Sequence, residues 1–352
     1  MTKPTIVALD AMGGDRAPDI VVQGAAIALR RMPNVSFLLY GDEAKLRPLV
    51  ARSKKLRDRA EIVHTAERVA DDAKPAQALR AGRASSMRLA LDAVAERKAD
   101  CVVSAGNTGA LMAMAKFALK TLPGIDRPAM ASLFPTQRGE SVMLDLGANI
   151  ECDAENLVQF ALMGEVFART VLGQRQPIVG LLNVGSEEMK GNDAVRAAGT
   201  RLRAPGSPIN FYGFVEGDDI AAGTVDVIVT DGFTGNVALK TAEGTAKMVT
   251  EYMRAAFRNS LTARLGYLFA APSIAKLRKR LDPRYHNGAV FVGLNGIAVK
   301  SHGGTDGFGF ANAVGVAVDM QTNGFLDQIR DGLQRLKSLV SVSDAPPQAA
   351  AI

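Results

Sequence analysis

Six loops rich in glycine, asparagine, threonine, aspartate and lysine contain the residues that could do chemistry in this chain. They are residues 10–15, 104–109, 144–149, 183–192, 213–219 and 230–237. Residues of these types can hold an anion and polarise a carbonyl group without a nucleophilic side chain. Because glycines after strands are usually turn formers, the six loops together, rather than any one of them, indicate a binding site.

Two side chains in these loops are the leading candidates for catalysis. Lys190 lies in a glycine-flanked loop and offers a cation to a phosphate or to a thioester oxygen. Asn236 follows Gly235 near the expected start of a helix, where an amide and unpaired backbone N–H groups can bind an anion. The structural alternatives are a surface lysine paired with Glu187 and a helix N-cap at Asn236.

Other residues of the loops are candidates for binding phosphate or substrate. Asp231 could orient Lys190 or the substrate, although a carboxylate that faces phosphate repels it unless it is paired. Asn107 and Thr108 could donate hydrogen bonds to phosphate, with turn formation as the alternative. The remaining candidates for binding or lining the site are Asn149, Asn183, Gly235, His286 and Asn287.

Several catalytic motifs are absent from the sequence. It contains no P-loop signature, no G-x-G-x-x-G after a strand, no G-x-S-x-G and no H-E-x-x-H. Its three histidines are far apart, and Cys101 and Cys152 form no ligand cluster. We therefore expect no metal site, and the two cysteines are expected to be buried thiols in a reducing compartment.

Composition restricts the class of protein. The 352 residues are 47% hydrophobic and 22% charged, which is typical of a soluble globular protein. No run of about 20 apolar residues predicts a transmembrane helix, and the first nine residues are too short for a signal-peptide core. A cytoplasmic location is expected. Aromatic residues make up only 5% of the chain, with no tryptophan, so nucleic acid is not the expected partner.

The net charge of +6 is confined to residues 251–284, which carry eight basic and two acidic side chains. In this segment apolar residues recur at helical spacing and predict an amphipathic helical hairpin with a break between residues 266 and 272. They are Met253, Phe257, Leu261, Leu265 and Leu268. The hairpin could pack on the core, form a dimer interface, or touch acidic lipid or an acidic protein.

Short β-branched runs alternate with helical patterns along the chain, which predicts a mostly parallel, Rossmann-like α/β sheet with helices on both faces. The predicted strands include residues 5–9, 36–40, 101–104, 141–145, 178–183, 210–214 and 225–229. Because a glycine-containing loop follows each strand, we expect the six loops to share the carboxyl edge of the sheet. Residues 1–340 are predicted to form one large domain, followed by a disordered tail at 341–352.

Several long motifs occur in an order that resembles the bacterial phosphate acyltransferase family, which acts in phospholipid synthesis. They are residues 6–15 (IVALDAMGGD) with Ala17-Pro18, Ser85-Ser86-Met87, the loops at 183–192 and 230–236, residues 286–296 (HNGAVFVGLNG) and residues 300–306 (KSHGGTD). The resemblance runs from residue 5 to about residue 337.

The resemblance implies a fold related to isopropylmalate dehydrogenase and phosphotransacetylase, a homodimer, and neither metal nor organic cofactor. It implies a reaction in which inorganic phosphate attacks an acyl-acyl-carrier-protein thioester to give acyl phosphate and free carrier protein. It also marks Asp10, Gly13, Gly14 and Asp15 as functional. Further expectations are peripheral contact with the membrane and a downstream glycerol-3-phosphate acyltransferase as partner.

Acyl carrier proteins are acidic, so basic patches are candidates for docking one. The patches comprise Arg80, Arg83 and Arg88 in one segment and Lys276, Arg278, Lys279 and Arg280 in another, and solvated helix faces are the alternative. Leu265 and Leu268 are the candidates for contact with a membrane.

Three other functions compete with this interpretation. A short-chain phosphotransacetylase that uses coenzyme A would share the chemistry without needing a surface for a carrier protein. A metal- and nicotinamide-dependent hydroxy-acid dehydrogenase of the related fold would need clustered aspartates and an adenosine pocket. A scaffold at the membrane edge would explain residues 251–284 and leave the six loops without a role.

Overall fold

Eleven strands form one mixed sheet in the computed structural model, which describes residues 4–282 and 284–343. In chain order the strands are β1 (Thr5–Asp10), β2 (Val35–Gly41), β3 (Ala60–His64), β4 (Cys101–Ser104), β5 (Ala129–Thr136), β6 (Gly139–Leu144), β7 (Val179–Leu182), β8 (Phe211–Val215), β9 (Val227–Val229), β10 (Ala289–Val292) and β11 (Ile297–Lys300). Their order across the sheet is β3-β2-β1-β4-β11-β10-β5-β6-β9-β7-β8. The seven strands listed from the sequence are present, each within two residues at either end.

The sheet consists of two parallel halves that run in opposite directions. Strands β3, β2, β1, β4 and β11 pair in parallel, and so do β6, β9, β7 and β8. Between the halves, the pairs β11–β10, β10–β5 and β5–β6 are antiparallel. Three reversals leave the second half antiparallel to the first.

The expectation that all six loops share one edge is therefore wrong. The loops after β1 and β4 leave the sheet at one edge, whereas the loops after β6, β7, β8 and β9 leave it at the opposite edge. Strands β5, β10 and β11, which lie at or beside the reversals, are not among the runs that the sequence pattern marked. Their pairing joins segments some 160 residues apart, such as Ala131 with Val290.

Helices cover both faces of the sheet, which confirms the predicted fold class. They are α1 (Asp19–Arg31), α2 (Glu43–Ala51), α3 (Lys54–Arg57), α4 (Pro75–Ala81), α5 (Ser86–Ala95), α6 (Thr108–Leu119), α7 (Ala154–Val171), α8 (Asp193–Leu202), α9 (Gly217–Ala222), α10 (Gly232–Arg258), α11 (Leu261–Leu281), α12 (Gly307–Thr322) and α13 (Phe325–Ser343). The tail predicted at 341–352 begins too early, because α13 extends to Ser343, and residues 344–352 lie outside the described part of the chain.

The core follows from the two-residue period of the strands. In β1, Val7 and Leu9 join a large apolar cluster on one face that includes α1, α7 and α12, whereas Ala8 joins a second cluster with α5 and α6 on the other. The first cluster continues as far as Phe214 in β8. One core thus holds the strands of both halves in place beneath their loops.

A helical hairpin is present, but its turn is not where the sequence pattern placed it. Helix α10 begins at Gly232 and runs without interruption to Arg258, and α11 continues through both Gly266 and Pro272. The turn lies at Asn259 and Ser260, where the Ser260 side chain accepts a hydrogen bond from the backbone N–H of Ala263 at 3.0 Å. A serine cap with extended backbone starts a new helix, whereas a proline removes one hydrogen bond and need not end one.

Candidate active site

Lys190 and Asn236, the two leading candidates, follow strands of the same half of the sheet. Strand β9 lies between β6 and β7, so the loops after these three strands are neighbours at one edge. These loops also carry Asn149, Asn183, Asp231 and Gly235. The structure thus brings six of the predicted residues to a single edge, which we call the β6–β9–β7 edge.

The Asp145 carboxylate organises the first of these loops. It is fully buried directly after β6. Its Oδ1 atom accepts hydrogen bonds from the backbone N–H groups of Met130 (2.9 Å), Gly147 (3.2 Å) and Ala148 (3.0 Å). Its Oδ2 atom accepts from the backbone N–H of Asn149 at 2.7 Å and from the Asn149 side-chain amide at 2.9 Å. Burial raises the pKa of Asp145, and these donors oppose the rise.

Helix α10 starts directly against this loop. The backbone N–H of Gly232 donates to the Asn149 carbonyl at 2.7 Å, and the Asn236 side-chain amide donates to the Leu146 carbonyl at 3.1 Å. A Cβ atom at Gly235 would stand 2.0 Å from the carbonyl oxygen of Asp145. Only glycine permits so close an approach of two backbones. Asn236 is therefore held against the loop that the Asp145 carboxylate organises, and its second amide hydrogen makes no hydrogen bond with the described residues.

Asp231 is the N-cap of α10, the role that the structural alternative gave to Asn236. Its Oδ1 atom accepts from the Thr234 backbone N–H and its Oδ2 atom from the Thr234 hydroxyl, both at 2.8 Å. With both oxygens hydrogen-bonded to Thr234, the carboxylate stabilises the helix start. Because both donors are neutral, they leave the negative charge of the carboxylate in place.

The loop after β7 presents Lys190 to solvent. Asn183 closes this loop because its side-chain amide donates to the Lys190 carbonyl at 3.1 Å. Gly191 adopts a positive φ of 89°, and a Cβ atom there would collide with the Asn183 side chain. The backbone N–H of Lys190 donates to the Glu187 carbonyl at 3.0 Å. The loop backbone is thus fixed, and the Lys190 side chain stays exposed.

Cys152 is the thiol nearest to this edge. Its Sγ atom lies 3.9 Å from the carbonyl oxygen of Asn149. Burial, followed by the negative charges of Asp145 and Asp231, raises the pKa of Cys152 to about 12. At neutral pH the side chain is a protonated thiol and a poor nucleophile.

The other predicted residues lie at the opposite edge, where β1, β4 and β11 end. Asp10 is buried there and accepts hydrogen bonds from the hydroxyls of Ser86 (2.6 Å) and Ser104 (2.7 Å). Burial raises the pKa of Asp10, and the two serines oppose the rise. A Cβ atom at Gly13 would stand 2.4 Å from Asp10 Oδ2. The Asp10 carboxylate is therefore a framework group whose hydrogen-bonding capacity is used inside the protein.

The rest of the first loop is held by residues 300–306. The backbone N–H of Asp15 donates to the Gly303 carbonyl at 3.1 Å. Gly14 has a φ of 101°, and a Cβ atom there would stand 2.9 Å from Ala105 Cβ. The two glycines are thus explained by the tight turn from β1 towards α1.

Asn107, Thr108, His286 and Asn287 are also at this edge. Asn107 is the N-cap of α6, and Thr108 is the exposed first residue of that helix. Asn287 is buried and donates to both the Ser301 hydroxyl and the Gly309 carbonyl at 2.8 Å. His286 Nδ1 lies 2.5 Å from Glu140 Oε1. The polar groups of Asn107 and Asn287 are therefore paired inside the protein.

Lys300 is a buried lysine with a lowered pKa, and the sequence patterns assigned it no role. Its side chain is only 9% exposed, and its ammonium group donates to the carbonyl oxygens of Ala105, at 3.3 Å, and of Ser301. Burial lowers its pKa to about 8, although Asp10, Asp15 and Asp71 favour the charged form. A lysine at the end of an otherwise apolar strand, Ile-Ala-Val-Lys, is the signal that could have revealed it.

The basic patches differ in how free their side chains are. Arg80 and Arg83 are exposed. Arg88 is partly buried, pairs with Asp92 at 2.8 Å and stacks on the Phe117 ring. Lys276 is exposed, whereas the side chains of Arg278, Lys279 and Arg280 lie outside the described part of the structure. Leu265 and Leu268 are exposed on α11.

The described residues contain neither a candidate membrane span nor a candidate metal site. No helix among them is both long and apolar enough to cross a bilayer. Within residues 4–282 and 284–343, no three His, Cys, Asp or Glu side chains are grouped closely enough to hold a metal ion.

Comparison with known proteins places the chain in a family. A family model described as "Fatty acid synthesis protein" matches residues 5–328. Phosphate acyltransferase of Rhodospirillum centenum is 63% identical over 349 residues, which are 99% of this chain and 98% of that protein. Phosphate acyltransferase of Paramagnetospirillum magneticum is 60% identical over 337 residues, 96% of each chain.

Solved structures with a similar fold are phosphotransacetylases. The enzyme from Streptococcus pyogenes matches with a TM-score of 0.62 and 19% identity, over 92% of this chain and 95% of its own. The EutD phosphotransacetylase from Staphylococcus aureus matches with a TM-score of 0.58 and 17% identity, over 91% and 94%. At these identities the likeness establishes the fold alone, and it confirms the expected resemblance to the phosphotransacetylase fold.

The contact between α10 and the Asp145 loop predicts a large cost for a methyl group at Gly235. Gly235→Ala should lower the free energy of unfolding by about 1–3 kcal/mol, because its Cβ must displace a backbone carbonyl. Gly266→Ala is the matched control, since no heavy atom lies within 4 Å of that Cβ position in α11. Urea midpoints measure both variants. A Gly235→Ala protein as stable as the control would contradict the packing described here.

The buried Lys300 predicts a dependence of stability on pH. Its pKa is about 8 in the folded protein and 10.5 in the unfolded chain, so the unfolded chain binds more protons between these values. The free energy of unfolding, measured relative to that of a Lys300→Met variant, should therefore rise as the pH increases from about 8 to about 10.5. Urea midpoints of both proteins across this range test it, and a constant difference would mean that Lys300 titrates normally.

Proposed function

The chain belongs to the phosphate acyltransferase family of fatty acid synthesis proteins, and from this premise we propose that it transfers a long-chain acyl group from acyl carrier protein to inorganic phosphate. An oxygen of bound phosphate attacks the thioester carbonyl carbon and a C–O bond forms. The C–S bond then breaks, and the departing sulfur takes the proton that phosphate gives up. The products are acyl phosphate and free carrier protein.

The observation that carries the proposal is the exposed Lys190 at the same edge as the start of α10. The Lys190 ammonium group, the second amide hydrogen of Asn236 and the positive end of the dipole of the 27-residue helix α10 favour the negative charge of phosphate. The same donors favour the oxyanion that develops on the thioester oxygen. Because phosphate is itself the nucleophile, the protein needs only to position it and to stabilise charge.

Within this proposal the predicted site residues have two different roles, contact with the ligand and support of the loops. Lys190 and the free N–H of Asn236 contact phosphate or the thioester oxygen. Residues whose polar groups are already paired inside the protein hold the loops in position. They are Asp10, Asn107, Asn149, Asn183, Asp231 and Asn287.

An acidic carrier protein would find basic, exposed side chains on this chain. Arg80 and Arg83 are free to meet it, whereas Arg88 already pairs with Asp92. Complementary charge of this kind raises the rate of encounter more than it raises affinity. We therefore assign initial docking of the carrier to Arg80 and Arg83, together with Lys276 on α11.

The hairpin supports contact with a membrane surface. Leu261, Leu265, Leu268 and Phe269 of α11 are between 58% and 88% exposed. Apolar side chains on a basic helix insert into the interface of an anionic bilayer. Such contact, in a homodimer, would place the acyl phosphate near a glycerol-3-phosphate acyltransferase that consumes it.

The assay is phosphate-dependent release of free carrier from palmitoyl-acyl carrier protein. We expect Lys190→Ala and Asn236→Ala each to lower kcat by about 100-fold or more, because each removes a donor that stabilises charge in the transition state. Lys98→Ala is the control, since this exposed lysine pairs with Glu96 at the far end of α5.

Three outcomes would count against the proposal. Release that does not depend on phosphate would show that phosphate is not the acceptor. Turnover with short acyl-coenzyme A but with no acylated carrier would favour a short-chain phosphotransacetylase. Full activity in both folded variants would remove Lys190 and Asn236 from the site.

Lipid flotation tests the contact with a membrane. We expect the wild type to float with vesicles that contain anionic phospholipid and the Leu265→Glu, Leu268→Glu double variant to stay in solution. The two leucines are 58% and 67% exposed, so the exchange costs little folding energy, but a carboxylate is repelled by the anionic surface. Equal recovery of the two folded proteins with the vesicles would contradict the assignment.

A further inference from the structure

The carbonyl groups on both sides of Lys190 are bound by one side chain, that of Arg196. Its Nη1 atom donates to the carbonyl oxygens of Met189 at 3.3 Å and of Gly191 at 3.4 Å. The carbonyl of Lys190 itself accepts from the Asn183 side-chain amide at 3.1 Å. Three consecutive carbonyl groups of an exposed loop, with that of Lys190 in the middle, are therefore bound by side chains.

Arg196 reaches the loop from the first turn of α8. Asn192 caps this helix, since its side chain accepts from the Val195 backbone N–H at 2.9 Å. Side chains of a helix tilt towards its N-terminus, which directs Arg196 back over the loop that precedes α8. The Nη2 atom of Arg196 also pairs with Asp193. A guanidinium group has several N–H donors in one plane, so it can bind two carbonyl groups and a carboxylate together.

The stem of the Lys190 side chain lies close to the end of β7. A Cβ atom at Gly185 would stand 3.1 Å from Lys190 Cγ and 3.5 Å from its Cδ. The stem therefore lies across the glycine backbone, where a larger residue would crowd it. With the backbone bound on both sides and the stem at Gly185, movement of the ammonium group is restricted to the outer bonds of the side chain.

We infer that Arg196 is a positioning residue, which keeps Lys190 in the orientation that the reaction needs. The inference rests on the proposed function, in which Lys190 contacts phosphate or the thioester oxygen. A donor stabilises a developing charge best when it is aligned beforehand, because realignment during the reaction costs free energy. Arg196 lowers that cost by holding the backbone of Lys190 in one conformation, and it acts only through Lys190.

Two direct roles of Arg196 would have different consequences. An arginine that contacts phosphate itself would contribute to the rate independently of Lys190. An arginine that docks an acidic carrier protein would change the KM for the carrier. The contacts favour the positioning role, because the Nη1 and Nη2 atoms of Arg196 already bind groups of the protein.

The experiment is a double-mutant cycle in the phosphate-dependent release of carrier from palmitoyl-acyl carrier protein. We expect Arg196→Ala to lower kcat about tenfold and to leave the KM for the carrier unchanged, because a small misplacement of a catalytic group slows the reaction strongly. In a Lys190→Ala background, the same substitution should lower the remaining rate by less than about twofold. Arg196→Lys should restore kcat to within about threefold of the wild type, since an ammonium group can still donate to both carbonyl groups.

Arg201→Ala is the matched control. The Arg201 side chain belongs to the same helix, is 42% exposed against 43% for Arg196, and pairs with Glu155 at 2.5 Å. The two variants remove the same charge from α8, so a general effect of charge would appear in both. We expect kcat of Arg201→Ala to stay within about twofold of the wild type, because an exposed ion pair contributes little to stability.

Three kinetic results would overturn the inference. An equal fold loss from Arg196→Ala in the wild-type and Lys190→Ala backgrounds would mean that Arg196 acts independently of Lys190. A higher KM for the carrier at unchanged kcat would make Arg196 a docking residue. An equal loss of kcat in Arg201→Ala would attribute both effects to charge.

Hydrogen exchange tests the contact without the reaction. The backbone N–H of Lys190 donates to the Glu187 carbonyl at 3.0 Å, and its exchange reports opening of the loop. We expect this exchange to be faster in Arg196→Ala than in Arg201→Ala. The same exchange rate in both variants would show that Arg196 does not hold the loop, and would refute the inference.

Failure of the proposed function has a separate signature. A wild type that releases no carrier in the presence of phosphate, or a Lys190→Ala variant with full activity, would refute the function proposed for this site and with it the role of Arg196. If the wild type releases carrier and Lys190→Ala is impaired, the proposed function stands. The double-mutant cycle and the exchange rates then decide the role of Arg196 alone.

Discussion

The buried carboxylate of Asp145 is the group on which the β6–β9–β7 edge depends. An ionised carboxylate removed from water is costly unless it accepts enough hydrogen bonds, and Asp145 accepts five. Those bonds fix the loop after β6, and Gly232 and Gly235 allow α10 to start against its carbonyl groups. The position of Asn236 follows from that contact. The hydrogen bonds of Asp145 and the close backbone contacts at Gly232 and Gly235 thus fix the position of the Asn236 amide, a candidate catalytic group.

Each of the two edges of the sheet has a buried aspartate whose carboxylate accepts hydrogen bonds from the surrounding loops. Asp10 ends β1 and Asp145 follows β6, and each is buried with its oxygens satisfied by nearby loops. At the Asp10 edge, the buried ammonium of Lys300 occupies the space among the loop carbonyls. At the Asp145 edge, the cation is Lys190, which is exposed to solvent. The first arrangement suits a rigid framework, and the second suits the binding of an anion that arrives from solution.

Local sequence patterns predicted much of the fold and less of the site. The β-branched runs predicted the parallel strands because such strands are buried on both faces and therefore consist of continuous apolar residues. The same patterns left out the central strands, and with them the reversal of direction. The residue types along the chain also suggested the wrong position for two helix boundaries. Asp231 rather than Asn236 caps α10, and the hairpin turns at Ser260 rather than near Pro272.

What the sequence alone determined was the inventory of chemistry: anion-binding loops, Lys190 and Asn236 among them, a basic amphipathic hairpin and a family resemblance that the comparisons confirm. Only the tertiary structure decided which loops share an edge and which polar groups remain free. Strand direction depends on hydrogen bonds between segments as distant as Ala131 and Val290. The availability of a side chain likewise depends on partners that folding brings to it, as with Asn287 and Ser301. Neither property is encoded in the neighbours of a residue along the chain, because both arise from pairing and burial across the whole sheet.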